Sequence, residues 1–272
     1  MKIKLFTAFL IVILIVVGFS GCIDLFGEKP GPEVKEYFEE EYLATNVTIF
    51  SISTVNGAIS VTSWDGVNIT LNATKRSRHG YDDLKNAEII VSENNNEITI
   101  EIQHVQPIKS RAVDLDIKIP YNVTVKSASS VNGPVQITNT KGNTVFSTTN
   151  GAIIAEGIDG YVKASTTNGG IDIKSTTGVG DLTTTNGGIS AEIFDIKDDI
   201  DIQSTNGRIT VYINPIINAS IEITTTNGDI SAYDSIISVT ESSSKYLKGT
   251  IGNGGNKINI KTTNGGIKVF KL

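Results

Sequence analysis

The sequence predicts an all-β protein, a right-handed parallel β-solenoid whose turns, here called rungs, are about 18–21 residues long. A Ser/Thr-rich phrase that ends in Asn-Gly recurs along the chain, and Asn150, Asn168 and Asn186 stand 18 residues apart in succession. Apolar and polar residues alternate with period two between these phrases, which is the pattern of half-buried strands. Helical periodicity is missing from all segments longer than about 12 residues.

The Asn-Gly dipeptide also sets the phase of the repeat. Around Asn168, the residues at −4, −2, +3 and +5 are Ala164, Thr166, Ile171 and Ile173, and the residues between them are mostly polar. Side chains alternate between the two faces of a strand, so these positions share one face, which we expect to be the core. The same phase holds at Asn56-Gly57, Asn132-Gly133, Asn150-Gly151, Asn168-Gly169, Asn186-Gly187, Asn206-Gly207, Asn227-Gly228 and Asn264-Gly265.

Two arrangements fit this phase. If each Asn-Gly is a two-residue hairpin, the strands form an antiparallel meander with one uncovered apolar face. If each Asn-Gly is a corner, every repeat is one rung of a parallel solenoid, about 4.8 Å from the next, and its two sheets cover each other. Burying an Ile is worth roughly 1.5–3 kcal/mol, so covering both apolar faces favours the solenoid. Stacked corners would also allow ladders of like Asn and Thr side chains, and parallel crossovers are right-handed by default.

Several positions depart from the regular pattern. Lys126 occupies an inward position ahead of Asn132, which predicts a bulge or a wetter rung. The spacing from Asn227 to Asn264 is 37 residues, close to two rungs, and 252–255 would be a loop between them. Lys268 and Lys271 place charge where the final rung would leave an open edge. We expect the corner glycine Gly169 to need a positive φ, so that a Val there would be strained.

The first residues predict export. Lys2 and Lys4 precede an apolar run over 5–17, and 19–22 reads Phe-Ser-Gly-Cys. A basic start, a short apolar core and small residues at its end are typical of a secretory signal. The tetrapeptide also resembles a lipobox, which makes Cys22 a lipidation site. The alternative is a free Cys after an uncleaved anchor, and both place the body outside the cytoplasm, anchored to the cell membrane.

The predicted domains follow from this start. Residues 1–21 are a signal or lipoprotein-type signal peptide, 22–45 an acidic Pro- and Gly-containing tether, and 46–272 a single solenoid domain. Val34, Tyr37 and Phe38 have helical spacing, so a short helix is one alternative within the tether.

Charge and motifs limit the chemistry. The chain has 23 Lys and Arg against 29 Asp and Glu, a net charge of −6, with no basic cluster; this argues against binding nucleic acid. We predict that the protein uses no cofactor. We also predict no catalytic role for His79 or His104, because neither lies in a metal-binding or catalytic spacing.

Two groups of carboxylates are the remaining candidates for chemistry. For the group Asp198, Asp199 and Asp201, a polar turn entering the strand 200–202 is the favoured account, and calcium binding through carboxylate oxygens is the alternative. Enzymes that cleave polysaccharides use carboxylate pairs on a sheet face, and Asp172 and Asp181 are candidates only in that general sense; we predict no catalytic and no metal-binding residue.

The residues resemble a known family. Residues 55–61, Val-Asn-Gly-Ala-Ile-Ser-Val, are followed by Trp64-Asp65-Gly66, the Thr-Asn-Gly-Gly-Ile series, and 248–252 before Thr263-Asn264-Gly265. Over roughly 47–272 this pattern resembles the putative adhesin family, a group of exported or membrane-tethered β-helical domains from prokaryotes. The resemblance implies fold and location but transfers no catalytic or binding residue.

The leading hypothesis is therefore a non-enzymatic, membrane-anchored cell-surface module that acts in adhesion or binds envelope components. Its expected partners are the membrane, through the N-terminal lipid or anchor, and surface glycans or envelope proteins. A carbohydrate-active enzyme on a β-helix, or a structural or sensing partner in the envelope, are the alternatives.

Overall fold

The computed structural model describes residues 31–44, 49–107, 110–233 and 236–272. The predicted signal segment and Cys22 lie outside the described residues. Two β-sheets, sheet A and sheet B, make up nearly all of this part of the chain, with one short helix, α1 (Tyr81–Leu84). The fold is all-β, as predicted.

Sheet A contains β1 (Val34–Leu43), β3 (Ile59–Trp64), β4 (Asn68–Ser77), β7 (Ala112–Pro120), β9 (Val135–Thr138), β11 (Ile153–Glu156), β13 (Ile171–Lys174), β15 (Ile189–Ile193), β17 (Ile209–Ile213), β19 (Ile230–Ala232) and β23 (Ile267–Lys271). Sheet B contains β2 (Ile49–Asn56), β5 (Ala87–Asn94), β6 (Glu97–His104), β8 (Thr124–Asn132), β10 (Thr144–Asn150), β12 (Tyr161–Asn168), β14 (Gly178–Asn186), β16 (Ile200–Asn206), β18 (Ala219–Asn227), β20 (Ser238–Ser242), β21 (Tyr246–Ile251) and β22 (Asn256–Asn264).

Each rung consists of a sheet B strand, an Asn-Gly corner and a sheet A strand. Neighbouring rungs pair in parallel and in phase: Phe146 lies opposite Ala164 in sheet B, and Ile153 lies opposite Ile171 in sheet A. All four side chains are buried between the sheets. The parallel solenoid is therefore confirmed, and the antiparallel meander is excluded for these strands.

The corners form a continuous polar ladder. The side-chain amide of Asn168 donates to Oδ1 of Asn150 at 2.7 Å, and Asn186 donates to Asn168 at 2.8 Å. The ladder runs through all the Asn-Gly corners, in the spatial order Asn56, Asn132, Asn150, Asn168, Asn186, Asn206, Asn264 and Asn227. Each bond joins two rungs, so the predicted ladder of like side chains is present.

A second ladder lies just inside the first. The buried hydroxyl of Thr166 donates to the carbonyl oxygen of Gly151 at 3.0 Å, and Thr184 donates to Gly169 at 2.8 Å. Ser130, Thr148, Ser204, Thr225 and Thr262 make the same bond to a glycine carbonyl of an adjacent rung. The hydroxylic residue at −2 is thus a buried cross-rung donor at seven of the eight corners; at the remaining one, Thr54 donates to the Asn56 carbonyl oxygen of its own rung at 3.4 Å.

The expected reason for the corner glycines is wrong. Gly169 does not have a φ in the left-handed region, and among the corner glycines only Gly57 does, at 136°. A Cβ added at Gly169 would instead lie 1.8 Å from the carbonyl oxygen of Gly151. The glycine is required because stacked corners approach too closely for any side chain at this position.

The order of the rungs in space differs from their order along the chain at both ends. Sheet B runs β5-β6-β2-β8-β10-β12-β14-β16-β22-β18-β21-β20, and sheet A runs β1-β4-β7-β3-β9-β11-β13-β15-β17-β23-β19. The rung β22–β23 therefore lies between β16–β17 and β18–β19, and β2–β3 lies between β6–β7 and β8–β9.

This order corrects two predictions at the C-terminal end. The 37 residues between Asn227 and Asn264 were expected to span two successive rungs. They contain instead β20 and β21, which form a hairpin paired antiparallel with β18, and β22 then returns into the stack. Lys268 and Lys271 do not protect an edge, because β23 is paired on both sides; the edge strand of sheet A at this end is β19.

The N-terminal end corrects the predicted tether. Residues 34–43 form β1, which pairs antiparallel with β4 over its whole length. Alternate residues of β1 point inward, and Phe38 and Tyr42 pack against the core. The segment therefore has period two and is not a helix. The solenoid domain begins at about residue 34, ahead of the expected boundary at 46.

The predicted irregularity at Lys126 is confirmed. Phe50 pairs with Val125 and Ser51 pairs with Ser127, so Lys126 is the extra residue of a bulge. Its ammonium group reaches the Glu97 carboxylate at 3.0 Å. Within the described residues, no helix is long and apolar enough to cross a membrane.

The close approach of the corners predicts a sharp difference between adjacent glycines. Gly169→Ala should destabilise the protein by roughly 3 kcal/mol, the upper end of the cost of overpacking. A Cβ at Gly170 would lie 3.4 Å from the nearest atom, the Gly188 carbonyl oxygen, so Gly170→Ala should change stability by less than about 1 kcal/mol. Urea denaturation of both variants measures this; equal losses would contradict the steric account.

The hydroxyl ladder predicts a second matched pair. Thr166→Val keeps the shape of the side chain but leaves the Gly151 carbonyl without its donor, which should cost about 1–2 kcal/mol. Thr167 is exposed on the outer face, so Thr167→Val should fall within about 0.5 kcal/mol of the parent. Thermal or urea unfolding compares the two, and an equally stable Thr166→Val protein would show that the bond contributes nothing.

Candidate functional site

A groove lies on the outer face of sheet B where the connection 194–199 folds against β12 and β14. It encloses about 220 Å³, and we call it the sheet B groove. Its lining residues are Asn143, Thr144, Val145, Tyr161, Lys163, Val179, Gly180, Lys197, Asp198, Asp199 and Ile200.

Tyr161 holds the connection 194–199 against the sheet. Its hydroxyl donates a hydrogen bond to the Asp195 carboxylate, and the Lys197 ammonium lies 4.3 Å from its ring centroid. The bond to Asp195, together with burial, raises the pKa of Tyr161 to about 12, so the phenol stays protonated at neutral pH. Gly178 leaves space for the ring, since a Cβ there would lie 2.6 Å from a Tyr161 ring carbon.

The floor of the groove carries an apolar and a charged side chain on neighbouring strands. Val145 of β10 is 53% exposed, and Lys163 of β12 lies opposite it, between Val145 and Gly180 of β14. Lys163 pairs with Asp181 at 2.9 Å, and this hydrogen bond raises the pKa of Lys163. Lys197, Asp198 and Asp199 belong to the connection 194–199, so charges of both signs line the groove.

The C-terminal rung braces the groove. The Asn256 side-chain amide donates to the Lys197 carbonyl oxygen at 2.7 Å, and the Lys257 backbone N–H donates to the Asp199 carboxylate at 2.7 Å. The rim of the groove is therefore fixed both by Tyr161 and by the start of β22.

The two carboxylates proposed as a pair lie on different sheets. Asp172 is on the outer face of β13 in sheet A, paired with Lys174 at 2.6 Å, whereas Asp181 is on β14 in sheet B. Burial raises the pKa of Asp181, but hydrogen bonds from Lys163 and from the Asp201 amide outweigh it, and the pKa lies below its ordinary value. Because the solenoid separates them, Asp172 and Asp181 are not an acid–base pair.

The carboxylate group at 198–201 has the contacts of the predicted polar turn. Asp199 accepts the Lys257 amide, and Asp201, in β16, accepts from the side chain of Asn259 at 2.6 Å. Across the ranges that the structure describes, no cluster of three or more His, Cys, Asp and Glu residues is arranged to hold a metal ion.

Sequence reasoning missed a buried cluster at the N-terminal end of the stack. Arg111 is fully buried, and its guanidinium contacts Asp83 at 2.5 Å and the His104 Nδ1 at 3.1 Å. Its own carbonyl oxygen accepts a hydrogen bond from the Asn56 side chain at 3.1 Å. The cluster thus ties α1 and β6 to the first Asn of the ladder. His79 is not part of it; its backbone N–H donates to the Ser77 hydroxyl.

The cluster predicts loss of stability in acid. Burial and then the nearby Arg111 cation lower the pKa of His104, with Asp83 partly opposing them; a protonated Nδ1 would also lose its bond from Arg111. In the unfolded chain His104 has an ordinary pKa of about 6.5, so it binds a proton more readily there than in the folded protein. The contribution of neutral His104 to the stability of the fold is complete above that pH. It is lost as the pH falls through the lower pKa that His104 has in the folded protein.

Urea denaturation between pH 7.5 and 5 measures this effect. His104→Gln should reduce the decrease in unfolding free energy toward pH 5, and His79→Gln, which removes an imidazole outside the cluster, is the control. An identical pH profile for His104→Gln and the parent would contradict the assignment.

A comparison with protein families adds to this geometry. The model of the family described as Toastrack DUF4097 matches residues 40–270. The chain belongs to this family. This match over most of the chain confirms the family resemblance that the sequence predicted.

Solved structures similar to this Toastrack chain include a putative adhesin from Bacteroides fragilis NCTC 9343, with 14% identity, a TM-score of 0.43 and coverage of 86% of this chain and 97% of that one. A putative cell adhesion protein from Clostridium sporogenes ATCC 15579 has 13% identity, a TM-score of 0.39 and coverage of 87% and 100%. A putative lipid binding protein from Parabacteroides distasonis ATCC 8503 has 13% identity, a TM-score of 0.38 and coverage of 86% and 97%. A search of curated proteins found no match.

Proposed function

We propose that this Toastrack protein is a non-enzymatic binding module of the cell surface, anchored to the membrane by its N-terminal segment, and that the sheet B groove contacts its ligand. The observation that carries the proposal is the groove itself, in which an exposed apolar side chain, Val145, lies among amide, hydroxyl, ammonium and carboxylate groups. Apolar surface with a few convergent polar groups is the usual composition of a ligand site.

The packing of the solenoid restricts a ligand to the outer faces. The space between the sheets is filled by apolar side chains such as Phe146, Ile171 and Leu182, all almost fully buried. The inward hydroxyls of Thr166 and Thr184 already donate to glycine carbonyls. A ligand must therefore use outward-facing side chains, and the groove is where these are set around a concave surface.

The chemistry of the groove favours a surface polysaccharide as the ligand. Sugar rings present apolar C–H faces and hydroxyl groups, which suit Val145 on the floor and Asn143, Thr144 and the carboxylates around it. Because Lys163, Lys197, Asp198 and Asp199 all line the groove, neither sign of charge dominates. A neutral or mixed-charge glycan fits this balance better than a polyanion does.

The point at which the chain enters the solenoid determines how an N-terminal anchor would present the groove. The Gly31 N–H donates to the Arg78 carbonyl oxygen at 2.9 Å, at the end of β4. The N-terminal segment thus reaches the solenoid at its β1 end, and the groove, on β10 to β16, lies away from that end. A membrane anchor before residue 31 leaves the groove accessible.

The anchoring is tested by the mass of the protein extracted from membranes. Lipidation predicts a chain that begins at Cys22 and carries an added lipid mass. A chain that retains Met1 would refute processing at Cys22 and favour the uncleaved anchor.

Ligand binding is tested on a glycan array and with purified surface polysaccharides. Val145→Glu places a charge on the groove floor and should weaken binding at least tenfold, about 1.4 kcal/mol. Val239→Glu is the matched control, because Val239 is 49% exposed on β20 at the far end of the stack, and should bind like the parent. Equal binding by both variants would exclude the groove, and hydrolysis of any bound polymer would favour the enzymatic alternative.

A further inference from the structure

The C-terminal rung is inserted between two rungs that precede it in the chain. β22 pairs in parallel with β16 on one side and with β18 on the other, and β23 pairs with β17 and β19. We call the space between β16–β17 and β18–β19 the slot. Both pairs of strands that flank the slot precede, in the sequence, the segment that occupies it.

The slot matches its occupant at every inward position. Ile260 lies between Ile202 and Ile223, and Asn264 lies between Asn206 and Asn227. Its inward side chains are fully buried: Ile258, Ile260, Thr262, Ile267 and Val269. These strand-to-strand contacts do not depend on which copy of the chain supplies 256–272. The connecting loop adds one hydrogen bond of its own, from the Asn253 N–H to Oδ1 of Asn218 at 2.8 Å.

The connection to this segment is short and rich in glycine. Between β21 and β22 lie Gly252, Asn253, Gly254 and Gly255, and the three glycines have φ values of 58°, 76° and 153°. Because glycine adopts such values as readily as extended ones, this loop can act as a hinge.

We propose that the slot between β16–β17 and β18–β19 accepts residues 256–272 of a second copy of this chain, which gives a dimer with exchanged C-terminal rungs. Exchange of an identical element through a hinge is a low-cost route to dimers, because the contacts of the closed monomer are reproduced in the dimer. The exchanged segment also brings a neighbour's residues to the sheet B groove. Asn256 and Lys257 of the donated segment would hold the Lys197 carbonyl and the Asp199 carboxylate of the acceptor, as they do within one chain.

Disulfide trapping tests the proposal, because Thr205 in β16 lies beside Thr263 in β22, both on the outer face. Neighbouring strands are about 4.8 Å apart, within the Cα separation that a disulfide spans. Full-length chains carrying Cys22→Ser with either Thr205→Cys or Thr263→Cys are co-expressed and oxidised. Rung exchange predicts a covalent dimer of the two different chains.

Two controls make the result decisive. The pair Thr167→Cys and Thr185→Cys joins β12 and β14, which are successive internal rungs, and should give no dimer when the two changes are on separate chains. The double variant Thr205→Cys/Thr263→Cys on one chain should lose both free thiols on oxidation, which shows that the two positions are close enough for a disulfide whichever chain supplies them. Oxidation of the double variant without any dimer from the separate chains would overturn the proposal, as would equal dimer formation by the internal pair.

Discussion

The close stacking of Asn-Gly corners is the constraint on which the rest of the structure depends. Gly169 packs against the carbonyl oxygen of Gly151 with no room for a Cβ, and the Asn and Thr ladders on either side satisfy polar groups across the same gap. Every rung must therefore present its corner at the same phase. That phase directs the residues at −4, +3 and +5 inward, so one local contact determines which side chains form the core.

A repeated phase makes the rungs interchangeable in their contacts, and the two ends of the stack show the consequence. β2–β3 lies beside β8–β9, and β22–β23 lies beside β16–β17, although in each case another rung intervenes in the sequence. Such pairings join residues far apart in the chain, and contacts of this kind slow folding because long loops must close first. The ends also carry the elements that differ most from the repeat: the antiparallel strands β1, β4, β5, β20 and β21, and the buried Arg111 cluster.

The parts of the fold that local pattern determines were predictable. The core positions around Asn168 follow from strand alternation alone, and the bulge at Lys126 follows from a charge at an inward position. The order of the rungs was not predictable, because Asn206, Asn227 and Asn264 share one phase and each could stack on either of the others. The charge run at 39–41 concealed the alternation of β1, in which inward-facing Glu40 lies between Phe38 and Tyr42.

The candidate site was only partly accessible from the sequence. Asp198 and Asp199 were singled out as a polar turn or cation site, and they do line the groove. Tyr161 and Val145 gave no signal, because their role depends on the connection 194–199 folding back over sheet B. Arg111 was missed for the same reason: its partners Asp83 and His104 come from separate elements. The repeat pattern determines the residue type only at inward-facing positions. The contacts of outward-facing side chains depend on how loops fold over the sheet, so they could not be predicted from the sequence.

Pulsed electron paramagnetic resonance tests the stacking of the corners most directly. One spin label is placed at Val55 and the second at Thr205, Thr263 or Thr226, in three separate double variants. Each labelled residue immediately precedes an Asn of the ladder. With rungs about 4.8 Å apart, the account predicts distances of roughly 24, 29 and 34 Å for the three pairs, in that order. A greater distance to Thr263 than to Thr226 would contradict the inserted rung. Spacings between successive corners near twice 4.8 Å would contradict parallel stacking itself.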